Sequence, residues 1–92
     1  MYDADWPRSD MFIVYYTGGN LLEAANISHM ARKLDERLFL VSTPETQSKL
    51  YHHVKRLAAP DALFVGRLAA LPKFKGMQPG TTKWVGSLMQ AG

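Results

Sequence analysis

Asn20-Leu21-Leu22-Glu23-Ala24-Ala25-Asn26-Ile27-Ser28-His29-Met30-Ala31-Arg32-Lys33-Leu34 is the stretch on which the fold turns. Asn20 is a good helix N-cap and Glu23 stands three residues on, so a first turn has side chains to satisfy its free N–H groups. If the whole stretch were one helix, its apolar residues would share one stripe. They do not. At about 100° per residue, Leu21, Leu22 and Ala25 lie on one side, while Ile27, Met30 and Leu34 lie almost opposite. We therefore expect a helix that breaks near Asn26, followed by a strand over residues 28–34. This strand turns at Asp35-Glu36 into Arg37-Leu38-Phe39-Leu40-Val41. Asp-Glu lacks the glycine favoured in a tight hairpin. The rival is a kinked helix reaching Leu34, which would take one strand out of the sheet.

Upstream, Met11-Phe12-Ile13-Val14-Tyr15-Tyr16 is β-branched and aromatic without alternation, as in a central strand covered on both faces, and Gly18-Gly19 closes it. Downstream, a second helix is capped either by Thr43 with Pro44 in its first turn or by Ser42 paired with Glu45. Its stripe is Leu50, Val54 and Leu57, widened by Tyr51 and Ala58, and Pro60 stops it. Residues 62–68 read as the last strand. Pro72, Gly76, Pro79 and Gly80 make the following stretch irregular, and a short helix from about Thr82 would pair Trp84 with Leu88 and Val85 with Met89. The expected domain is a single α+β unit over residues 1–92. It is ferredoxin-like, a four-stranded antiparallel sheet with two helices on one face plus a short C-terminal helix. Residues 1–10 are expected to be a mobile arm and 72–92 an irregular appendage. Without the hairpin, a three-stranded α/β layer remains.

Several pieces carry a resemblance: residues 11–16, Leu21-Leu22-Glu23-Ala24, residues 37–43 and 61–68. Together they resemble the small ferredoxin-fold proteins related to the CRISPR-adaptation nuclease subunit, including the SinR-like group, over residues 11–70. Enzymes of that family place an aspartate at the end of the first strand to hold a divalent metal. Tyr16 and Thr17 stand there in this chain, and neither is a hard anionic oxygen ligand. The resemblance implies the fold and, as an alternative activity, a metal-dependent ribonuclease, with its metal aspartate missing.

Ninety-two residues, 47% hydrophobic and 21% charged, describe a globular domain that buries about 60–65% of its unfolded surface. With no cysteine, disulfides, zinc ribbons, iron–sulfur clusters and thiol catalysis are excluded. The start Met1-Tyr2-Asp3-Ala4-Asp5 is acidic where a signal peptide is basic, and the longest apolar run is too short to cross a bilayer. A cytoplasmic domain without membrane contact is expected.

Charge is polarised along the chain. Through Glu45 there are four Lys/Arg against seven acids, and after it seven against Asp61 alone, so the halves carry −3 and +6 of the net +3. Clustered positive charge draws phosphates or acidic protein surfaces. Lys49, His52 and Arg56 fall at i, i+3, i+7 opposite the apolar stripe. They are either a solvated face or, since no acid follows Glu45 on that helix, a phosphate-binding one. Lys73-Phe74-Lys75 is a basic–aromatic–basic step that can stack a base, unless Phe74 folds onto the core. Arg67 and Lys83, beside Trp84, complete the partner-binding set.

Other patterns carry less. His52-His53 cannot chelate one ion, because helical neighbours diverge by about 100°, and His29 adds no spacing. Gly18-Gly19-Asn20 is either an anion-binding turn or a plain one. Asp3, Asp5 and Asp10, around Trp6 and Arg8, read as solvating charge. No catalytic residue, metal or cofactor is expected.

The expectation is a non-enzymatic binding or inhibitor protein docking on an RNA- or DNA-bearing assembly or an acidic protein surface. In size, lack of cysteine and charge polarisation the chain is similar to phage anti-CRISPR proteins, which block RNA-guided complexes. That analogy implies the host cytoplasm. A homodimer pairing through the sheet edge is the third alternative.

Overall fold

A computed structural model describes residues 9–70, 72–73 and 75–77. The expected arm up to Arg8, Phe74, Lys83 and the C-terminal helix carrying Trp84, Val85, Leu88 and Met89 lie outside the described residues. The elements are β1 (Asp10–Thr17), α1 (Ala24–Ile27), β2 (Ala31–Asp35), β3 (Leu38–Thr43), α2 (Gln47–Ala58) and β4 (Ala62–Arg67). The four strands form one antiparallel sheet in the order β2-β3-β1-β4.

Side chains alternate between faces along a strand, so the all-apolar β1 feeds two clusters. Phe12, Val14 and Tyr16 face the helices and meet Phe39 and Val41 of β3, Leu22, Ile27 of α1, and Leu50, Val54 and Ala58 of α2. On the other face Leu34 and Leu40 are buried with Met11, Ile13, Leu38, Leu68 and Met77 around them. Each fully buried Phe, Leu or Val contributes about 1.5–3 kcal/mol, and the central strands carry most of these.

The break in the first helix is real but sits differently from expectation. α1 is a single turn with Glu23, not Asn20, at its N-cap, where the Glu23 N–H donates to Asn26 Oδ1 at 2.8 Å. Asn20 serves a helix end after all, but that of α2. Its N–H donates to Ala58 O at 2.7 Å and its Nδ2 to Leu57 O at 3.2 Å. These are carbonyls that the last turn leaves without intrahelical partners. The hairpin turns at Glu36-Arg37 rather than Asp35-Glu36, because a bulge between Lys33 and Asp35 shifts the pairing by one residue. Neither turn residue takes a positive φ, so the missing glycine costs nothing.

α2 starts later than expected. Thr46 caps it, its Oγ1 accepting from the Lys49 N–H at 3.1 Å, while Thr43 stays buried at the end of β3 and accepts from the Glu45 N–H. Ala59, left-handed at φ 46°, closes the helix ahead of Pro60. No helix among the described residues is long and apolar enough to cross a membrane.

Buried Tyr16 joins the exit of β1 to the core. Its hydroxyl donates to Asn20 O at 2.8 Å and accepts from the buried Leu22 N–H at 3.1 Å. Tyr16→Phe leaves that N–H without its partner inside the core, which costs about 1–3 kcal/mol. We expect a lower urea midpoint with an unchanged slope; an unshifted midpoint would remove the hydroxyl from the set of fold-holding contacts.

Candidate polyanion-binding face

Burial of Leu50, Val54 and Ala58 turns the opposite side of α2 to solvent. Lys49, His52, Lys55 and Arg56 are all exposed there. Glu45, Ser48, Lys49, His52, His53 and Arg56 line a shallow concavity of about 370 Å³. The spacing expected to gather Lys49, His52 and Arg56 therefore does so. Two further members follow from the same wheel but stand out less in the sequence. Ser48 lies one helical turn before His52 and adds a hydroxyl. His53 lies one turn after Lys49 and leans toward α1, its Nε2 3.3 Å from Asn26 O. The edge of one ring meets the face of the other between Tyr51 and His52, with centroids 5.2 Å apart.

Charge balance decides what such a face can do. Among the described residues the ion pairs are Lys33 with Glu23, Arg37 with Glu36, and Arg67 with Asp10. None of them takes Lys49, Lys55, Arg56, Lys73 or Lys75, and Glu45 is the one carboxylate lining the concavity. Lys55 and Arg56 also sit in the last turn of α2, where positive charge complements the helix dipole.

Arg67 differs from expectation. Asp10 belongs to the start of β1, not to an arm, and its Oδ1 lies 3.7 Å from Arg67 Nη1. An exposed pair at that distance is worth at most about 1 kcal/mol, so Arg67 remains available to a stronger anion. The Arg67 N–H donates to Gln47 Oε1 at 3.2 Å, which ties this end of β4 to the first turn of α2. Lys73 and Lys75 are exposed on a different part of the molecule. They lie between Leu68 and Met77, both of which pack on the sheet face opposite α2. Phe74 and Lys83 lie outside the described residues.

The glycine turn is not an anion cradle. The carbonyls of Gly18 and Gly19 accept from Arg37 Nε at 3.1 Å and Nη2 at 3.3 Å, and the Asn20 N–H is spent on Ala58. At the end of β1 a guanidinium thus occupies the oxygen atoms that a cation would seek, with its charge over the Tyr16 ring at 5.8 Å. No group of three His, Cys, Asp or Glu that could hold a metal occurs among the described residues, and His29 is a solvent-exposed turn residue.

No protein-family profile, curated protein or solved structure matches the chain.

Because Thr46 fixes where α2 begins, it also fixes which residues face solvent. Thr46→Ala should cost about 0.5–2 kcal/mol of stability and raise amide exchange first at Lys49. Unchanged exchange at Lys49 would show that the cap is not what holds the first turn.

Proposed function

We propose that this protein is a non-enzymatic binding domain that docks through the α2 face on the phosphate backbone of a nucleic-acid-bearing assembly. The observation that carries this reading is a pair of exposed cations, Lys49 and Arg56, lining one concavity with the exposed ring of His52 and without an ion-pair partner among the described residues. Phosphates would supply the missing counter-charge, and the release of their condensed counterions drives such binding. Arg67, tied to the start of α2, extends the face along β4. Lys73 and Lys75 would form a second, separate contact.

The element order with strands in the sequence β2-β3-β1-β4 supports the ferredoxin-like form of the fold, with both helices on one face; a short helix from about Thr82 would complete it. Blocking an RNA-guided effector in the host cytoplasm, as phage anti-CRISPR proteins do, is the most specific form of this function. The charge-polarised, compact domain supports it. The ribonuclease alternative needs carboxylates around a metal at the end of β1, where Arg37 lies against the Gly18 and Gly19 carbonyls.

Lys49→Glu with Arg56→Glu should weaken binding to RNA or single-stranded DNA at least tenfold while leaving the circular dichroism spectrum unchanged. In the wild type, log affinity should fall against log salt with a slope of about −0.7 to −0.9 per phosphate contacted. The double variant should show a shallower slope. Salt-independent binding would eliminate phosphate contact. Capture from a host lysate that survives RNase and DNase would point to an acidic protein surface instead. RNA cleavage with Mg²⁺ or Mn²⁺ that a chelator abolishes would replace this reading with the ribonuclease one.

A further inference from the structure

We infer that two copies of this chain pair antiparallel through their β4 strands, about a twofold axis at Phe64. The inference does not depend on what Lys49, His52 and Arg56 bind, although in the pair Arg67 meets a carboxylate instead of a phosphate. It starts from an edge. Among the described residues β4 ends the sheet, and its hydrogen-bonding alternation is fixed by two contacts. The Tyr16 N–H donates to Arg37 O, so the even residues of β1 bond toward β3. The Leu68 N–H donates to Met11 O, so the odd residues of β1 bond toward β4, and in β4 the even residues face inward. Leu63, Val65 and Arg67 therefore turn N–H and C=O outward. Gln47 takes the N–H of Arg67, and among the described residues no strand covers Leu63 and Val65.

The two edges of this sheet are built differently. Natural edges are protected by charge or by a bulge. β2 has both, in Arg32, Lys33 and the irregularity between Lys33 and Asp35. Residues 62–66 of β4 have neither.

The edge also complements itself. Outward from Phe64, Asp61-Ala62-Leu63-Phe64-Val65-Gly66-Arg67 reads Leu against Val, Ala against Gly, and Asp against Arg. An antiparallel copy in this register places Leu63 opposite Val65 of the second copy as a bonded pair, twice over, which satisfies all four outward groups of those two residues in each chain. Phe64 meets Phe64 of the second copy at the non-bonded position, where Cα atoms approach to about 4.5 Å and side chains are closest. Ala62 and Gly66 flank the two rings and leave them room. At each end Asp61 opposes Arg67 of the second copy. Asp61 has no ion pair among the described residues and Arg67 only the long contact to Asp10, so both charges are open to this exchange.

This pairing also explains an exposure that the monomer does not. Phe64 is 59% exposed and its cross-strand neighbour Tyr15 48%, the two largest exposed rings of the described residues, side by side on one face. Phe64 lies flat enough over Gly66 that a Cβ there would sit 3.3 Å from its Cε1. A closed twofold of this kind uses the same patch on both copies. Its axis stands perpendicular to the continuous eight-stranded sheet, so both α2 helices fall on one side and their basic faces point the same way.

Charge exchange at Asp61 and Arg67 tests the register. Sedimentation equilibrium of the wild type from micromolar to millimolar protein should give twice the protomer mass. Asp61→Arg alone and Arg67→Asp alone each set like charges opposite one another and should yield monomers. An equimolar mixture of the two variants restores opposite charges at both ends and should yield heterodimers. Phe64→Glu, at a site already exposed in the monomer, should also yield monomers with an unchanged circular dichroism spectrum, which guards against a misfolded Arg67→Asp. A wild type that stays monomeric throughout overturns the inference. So do single variants that dimerise as the wild type does, or folded variants whose mixture shows no heterodimer.

Discussion

The junction at Gly18-Gly19-Asn20 is the constraint on which the rest depends. Both glycines hold φ near +70°, and a Cβ on Gly19 would run into the carbonyls of Ala58 and Ala59. Only a bare backbone can come this close to the end of α2. That approach lets the Asn20 N–H reach Ala58 O, and it leaves the Gly18 and Gly19 carbonyls free for Arg37 from the β2–β3 hairpin. Three parts distant in sequence meet there: the exit of the first strand, the end of the second helix and the tip of the hairpin. Tyr16 secures the same corner from inside, through Asn20 and Leu22.

Much of this architecture was legible in the residues, and the failures have local causes. The opposed apolar clusters at Leu21–Ala25 and Ile27–Leu34 revealed the break in the first helix, because burial demands one face per element. Asn20 misled as an N-cap, since its capping chemistry serves either end of a helix and only tertiary contact decides which. The start of α2 slipped from Ser42 or Thr43 to Thr46 for a related reason. Residues 42–46 offer three hydroxyl groups in five positions, and β3 claimed Thr43 for its buried end. The hairpin slipped by one residue because a bulge leaves no mark in composition. At the candidate site, helical spacing was enough to unite Lys49, His52 and Arg56. It could not say that Asp10 lies beside Arg67, nor that Lys73 and Lys75 follow a segment crossing the far face.

Electrostatics and packing divide the molecule cleanly. Of the described cations, those near early acids are Lys33, Arg37 and Arg67, which pair with Glu23 at the cap of α1, Glu36 in the hairpin turn and Asp10 at the start of β1. Among the described residues α2 carries its cations without ion-pair partners, because its own sequence after Glu45 contains no acid and its buried stripe leaves no other face for them. A surface of this kind gains little stability from its charges. It is better suited to long-range attraction, in which field strength over many ångströms matters more than any single pair.

The position of β1 in the sheet bears on how the chain reaches its native state. The first strand made lies between β3 and β4, so its outer side stays open until residues near 67 have left the ribosome. Neighbours so far apart along the chain delay the ordering of the sheet, because loop closure must precede the contacts that reward it. Chain synthesis and collapse are thus separated in time, and the backbone N–H and C=O groups of Met11, Ile13 and Tyr15 stay unpaired in the interval, where helper proteins or premature association would find them.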